Sequence, residues 1–335
     1  MDLAIMELTI CLTVSYSKAE GIKVESLSAF MQEMLVLYGI AILGFVVRKM
    51  GVLNEKANDV LTQLILYITL PALILYSLDI TFSITLLREF MWFIMMSVYI
   101  LGISCFLAYW MRKRSKLPEQ QKSVYEGLII FGNQGFIGYA ISYILLGEQG
   151  IVYLTIFNLC YLILIWTYGI YLFSRNKKTI DWKNIFLNPG ILSTLIGLVI
   201  FFLPIGWPVV ISDGLESVGK MTIPLSMMLI GILIANVKYN NFISLIKSIY
   251  IWKSSLTRLI IIPVILFPFA ALSVPFSVLL IAVLVSGMPS APTISLYAQR
   301  YGGDSYFASI GVLLTTLLCI ITIPVLYTIV YYLSN

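Results

Sequence analysis

Between Arg258 and Arg300 the chain runs for 41 residues, Leu259 to Gln299, without one charged side chain. A helix crosses a hydrocarbon core with roughly 20 apolar residues, so this run holds two crossings and a break. Ser273, Val274 and Pro275 supply the break. Uncharged stretches of single-span length recur at Val60 to Leu78, Phe90 to Met111, Gly127 to Gly147, Gly150 to Ser174 and Met221 to Val237. Only 11% of the 335 residues are charged, whereas a soluble domain carries about 25%. The chain reads as an all-α integral membrane protein.

Ten transmembrane spans follow. Those near residues 30–49, 58–78, 90–111, 124–146 and 150–174 form a first half, residues 30–175. Those near 190–206, 214–237, 254–273, 275–298 and 305–333 form a second, residues 189–333. Residues 176–188 read as a cytoplasmic linker. Residues 1–29 read as a peripheral or disordered extension, because Leu3 to Tyr16 lacks the basic start of a secretory signal.

Basic residues orient the spans, since short cytoplasmic loops carry the excess of Lys and Arg. With both termini outside, sixteen of the 21 basic residues fall on inner loops and three, Lys18, Lys23 and Arg88, outside. The net charge of +5 therefore marks inner loops and does not point to nucleic acid. Lys220 and Arg258 lie within spans and are expected to anchor at the interfaces.

An offset of 153 residues aligns the halves at Gly44 with Gly197, and at Thr69-Leu70-Pro71 with Thr222-Ile223-Pro224. At 154, Gly132-Asn133-Gln134-Gly135 falls on Ser286-Gly287-Met288-Pro289. A repeat with an odd number of spans must re-enter the membrane inverted. The count of basic residues requires the same, and inverted repeats are characteristic of secondary transporters.

Both halves are interrupted at their fourth span. Gly132 and Gly138 in the fourth span, and Pro289 and Pro292 in the ninth, are the expected helix breaks. Unwound backbone within a membrane must face protein or a watery cavity, and the half-helix that follows directs its positive end at an anion. The predicted substrate site is Asn133, Gln134 and Gly135 opposite Met288, Pro289, Ser290 and Thr293. Amides and hydroxyls would do the binding there, without a fixed internal cation. Glu126, at the head of the fourth span, is a possible proton or cation site.

Several chemistries are closed. Without histidine there is no Ser-His-Asp or Cys-His pair and no His-ligated zinc. Cys11, Cys105, Cys160 and Cys319 have no CxxC spacing, so no metal is expected. Neither a cofactor nor an enzymatic activity is expected.

From Met34 to Tyr332 the sequence resembles the auxin efflux carrier family, including bacterial organic-acid and malate permeases. Gly132-Asn133-Gln134-Gly135-Phe136-Ile137-Gly138 is similar to that family's Asn-x-Gly-Phe-x-Gly segment. Met288-Pro289-Ser290-Ala291, Tyr301-Gly302-Gly303-Asp304 and Ile323-Pro324 resemble its ninth and tenth spans, and Ile223-Pro224-Leu225 its seventh. The resemblance implies that the broken fourth and ninth helices cross at the substrate site. It also implies a scaffold of spans one, two, six and seven, dimerisation through that scaffold, and elevator-like exchange of access. Ala140 stands where relatives commonly carry proline, so the first break is left to its glycines. The expected activity is secondary transport of a small organic anion, a carboxylate first, across a bacterial plasma membrane, with H+ or Na+ as possible coupling ions. A channel or ligand sensor on the same fold is the alternative.

Overall fold

The computed structural model of the protein describes residues 32, 35–79, 84–174, 189–203, 206–236, 247–272 and 274–333. The extension at residues 1–29, the linker at 176–188, and with them Cys11, Lys18 and Lys23, lie outside the described residues. Among the described residues there is no strand, and six helices are long and apolar enough to cross a membrane. They are Asp59–Ser77, Leu86–Arg114, Glu148–Phe173, Val209–Ile232, Ile249–Leu272 and Ser305–Leu333. Shorter apolar helices run over 35–49, Gln134–Leu146, Pro189–Phe202 and Phe276–Ser286.

Prolines set several helix starts. Pro118, Pro208 and Pro275 stand directly before Glu119–Ile130, Val209–Lys220 and Phe276–Ser286 in extended backbone with φ near −55°. The ring fixes that angle, and the donor proline lacks is one a helix start does not use. Pro208 thus starts the seventh-span helix five residues before the 214 read from hydropathy. Inside helices, Pro71 and Pro263 each follow a widened π-helical stretch, Ile65–Thr69 and Thr257–Ile261. A wide turn absorbs the hydrogen bond that proline cannot make. Pro324, by contrast, sits within the unbroken helix Ser305–Leu333.

Two glycines bring the first helix against the seventh span. A Cβ on Gly44 would lie 2.3 Å from the Met228 carbonyl oxygen, and one on Gly231 would lie 1.8 Å from that of Ala41. Backbone therefore touches backbone, the close approach that small residues permit between membrane helices. Gly147, at φ 60°, makes the turn between Leu146 and Glu148, a conformation glycine adopts without penalty.

Where the sequence predicts spans four and nine, each helix is interrupted. Glu119–Ile130 ends before Phe131, and the chain resumes as a π-helical turn, Gln134–Gly138, continuing into Tyr139–Leu146. Phe276–Ser286 ends before Gly287, and helix resumes at Thr293–Tyr301. Gly138, expected to break the helix, instead has helical angles (φ −58°, ψ −48°). Pro292 likewise stands at the entrance of the new half-helix rather than at the unwinding itself.

Candidate functional site

The two interruptions cross and satisfy one another. The Asn133 amide donates to the Pro289 carbonyl at 2.6 Å, and the Ala291 amide donates to the Phe131 carbonyl at 2.9 Å. Gly132 and Ser290 lie between them as an isolated antiparallel bridge. A ladder this short provides partners that hydrocarbon could not. Ser290 is fully committed: its hydroxyl donates to the Leu128 carbonyl at 2.7 Å, and its amide donates to the Thr315 hydroxyl at 3.0 Å. Met288 is buried and Pro289 gives its carbonyl to Asn133, so both act in the crossing rather than on an open surface.

Arg258 lies against the crossing, which corrects the expectation that it anchors at an interface. It stands in the π-helical stretch of the eighth-span helix, with 2% of its surface exposed. Its Nε donates to the Met288 carbonyl at 2.9 Å, and its Nη1 to those of Ile130 at 3.0 Å and Ile129 at 3.4 Å. These carbonyls belong to the C-terminal ends of the two interrupted helices, where the helix dipole is negative. The crossing therefore does contain a fixed internal cation, although Arg258 does not line the adjacent cavity. Gly132 makes room for it: a Cβ there would lie 1.9 Å from Nη2. The Gly132 carbonyl is held from the other side by the Tyr161 hydroxyl at 2.6 Å. Gly132 consequently works by vacated space, not by left-handed backbone, since the described glycines with positive φ are Gly51, Gly147 and Gly302.

On the other side of the crossing is a cavity of about 510 Å³, within the range of about 300–1,000 Å³ common for small-molecule sites. Asn133, Pro292 and Thr293 reach it, and Gln134, Gly135, Met288, Pro289 and Ser290 do not. Asp59, Thr62 and Gln63 from the second span, Asn236 from the seventh and Ser309 from the tenth are among its other polar lining residues. Leu66, Phe136, Leu229 and Ile230 form an apolar wall. The Asn133 Oδ1 caps the following turn by accepting from the Phe136 amide at 3.3 Å, whereas its Nδ2 is buried without a protein partner. Gln134 Oε1 and Arg258 Nη2 are likewise buried and unpartnered. Asp59, Gln63 and Asn236 are not among the expected site residues, because nothing in sequence spacing ties the second and seventh spans to a break far along the chain.

Glu126 stands apart from the cavity. It is fully buried, pairs with Arg112 at 3.0 Å and accepts from the Tyr168 hydroxyl, so both carboxylate oxygens are engaged. It ties the third-span helix end to the fifth. Lys220 pairs with Glu216 one turn earlier and reaches within 3.9 Å of Glu148.

A family model described as "Membrane transport protein" matches residues 29–182 and 175–327, most of the chain. The chain is also similar to an "Uncharacterized transporter" of Methanocaldococcus jannaschii, 24% identical over 312 residues covering 88% of this chain and 96% of that protein.

Proposed function

The chain belongs to the auxin efflux carrier family of membrane transport proteins, and on that premise we propose that it is a secondary transporter of a small organic anion, a carboxylate foremost. It carries the anion across the plasma membrane by elevator-like alternating access. The observation that carries this reading is the cavity beside two crossed helix breaks, lined by Asn133, whose Nδ2 is buried without a protein partner. Two half-helices begin there, at Gln134 and Thr293. Their positive ends and the unpartnered Nδ2 of Asn133 suit a carboxylate, while Leu66, Phe136 and Leu229 suit an apolar body.

The architecture proposed is two inverted five-span repeats, with the fourth and ninth spans crossing and both termini outside. Spans one, two, six and seven form the scaffold and the dimer interface. The cavity is lined both by the crossing and by Asp59, Gln63 and Asn236 of the proposed scaffold, which supports reading it as the seam along which one unit slides past the other. The Arg48 side chain donates to Asn236 at 2.6 Å, which supports orienting this end of the cavity toward the basic loops of the proposed inner face. Reconstituted vesicles given a panel of radiolabelled mono- and dicarboxylates should show saturable flux and counterflow, and their absence across the panel sinks the assignment.

A further inference from the structure

Four helix ends meet at the crossing, and the fold sorts them by sign. The half-helices starting at Gln134 and Thr293 turn their positive ends toward Asn133 and the cavity. The helices ending at Ile130 and Ser286 turn their negative ends, with the carbonyls of Ile129, Ile130 and Met288, toward Arg258. In transporters with discontinuous helices, unwound carbonyls and helix C-terminal ends are where a coupling cation binds. Here a guanidinium already occupies them, and among the described residues no carboxylate pairs with it.

We propose that Arg258 is the resident cation of the crossing, a covalently held substitute for a co-transported metal ion, so that the site needs no sodium to close around an anion. This rests on the transport reading above. Arg258 does not reach the cavity, so it is a positioning residue: it acts through the Phe131–Asn133 and Met288–Ala291 backbone that presents Asn133 to the substrate. Burying one arginine at the centre of a membrane helix is costly, and three bonds from a charged donor to carbonyls make that burial tolerable. The cation is permanent because guanidinium keeps its proton in proteins. A bound monoanion then leaves the crossing with no net charge to drag through the bilayer.

The test uses the full chain in detergent with no organic anion present. Wild-type protein should melt at the same temperature in sodium, lithium and choline chloride of equal ionic strength, and should show no saturable binding of radiolabelled sodium. Arg258→Ala empties the carbonyl cage. It should melt lower, and low-millimolar guanidinium should raise its melting temperature saturably while leaving wild type unmoved. If Arg258→Ala does not fold, Arg258→Lys should retain more of the wild-type melting temperature than Arg258→Gln. Saturable sodium binding to wild type overturns the proposal. So does a folded Arg258→Ala indifferent to guanidinium, or equal stability of the Lys and Gln variants. If neither of those variants folds, the sodium measurement on wild type decides. None of these readouts depends on flux, so failure to transport carboxylates would refute the function while leaving the resident cation standing.

Discussion

Gly132 and Arg258 occupy each other's space: a single methyl group on the glycine would lie 1.9 Å from Nη2 and 2.7 Å from Cζ of the arginine. Gly132→Ala must therefore displace the guanidinium from the Met288 and Ile130 carbonyls or part the two crossed segments. Overpacking of this kind costs about 1–3 kcal/mol, and the loss of charged hydrogen bonds adds to it. The variant should melt well below wild type and lose flux. Gly135→Ala is the control, since nothing lies within 4 Å of its added carbon; it should melt at or above wild type, because alanine favours helix over glycine. Equal melting of the two variants would contradict the packing argument.

Asn133 has two separable roles. Its Oδ1 caps the Gln134 turn, and its Nδ2 is buried unpaired on a residue that lines the cavity. Asn133→Ala should lose about 1 kcal/mol of stability with the cap and lose transport. Asn133→Asp keeps the acceptor but replaces the donor with a negative charge. It should fold nearly as well as wild type and transport organic anions worse than the alanine variant. Anion flux at wild-type rates in the aspartate variant would remove Asn133 from the binding site.

Glu126 and Arg112 form a buried pair, so removing one partner strands the other. Glu126→Gln should cost up to about 3–5 kcal/mol, the range for breaking such pairs. The double variant Glu126→Gln with Arg112→Gln should recover part of the loss, which a double-mutant cycle of melting free energies would measure. Additive losses would mean that the pair at 3.0 Å is not energetically coupled.

The first helix and the seventh span meet through backbone at Gly44 and Gly231. Neither neighbouring carbonyl can swing aside as a side chain would. Gly231→Ala should therefore destabilise more than Gly102→Ala, whose added carbon meets nothing within 4 Å. Thermal melting of the two purified variants decides the point, and equal melting temperatures would refute it.

The helices and interruptions were legible because hydrocarbon imposes few alternatives. Charge spacing bounded the spans, and Pro289 with the Gly132–Gly135 segment marked where helix could not continue. Arg258 was visible as a charge inside a span, a signal that ordinarily marks function in a membrane. Its position along the helix suggested an interface, because hydropathy measures depth in sequence and is blind to the side a residue faces. Only the packed structure shows that the π-helical stretch Thr257–Ile261 sets it against the crossing. Ser290 is the converse case: a hydroxyl in a broken helix reads as a ligand group, and in the structure its donors are used within the fold. Asp59 and Asn236 left no sequence signal, since polar residues near span ends are ordinary.

The two bonds that join Asn133 to Pro289 and Phe131 to Ala291 also set an order of events during synthesis. The fourth segment reaches the bilayer long before the ninth has been translated, with a buried donor and acceptor whose partners do not yet exist. Until the ninth arrives, that segment must rely on water, lipid headgroups or the insertion machinery. The final act of biogenesis is then the closing of this miniature ladder, and a chain truncated before Ser286 should be recognised by quality control as unfinished even with every earlier helix in place.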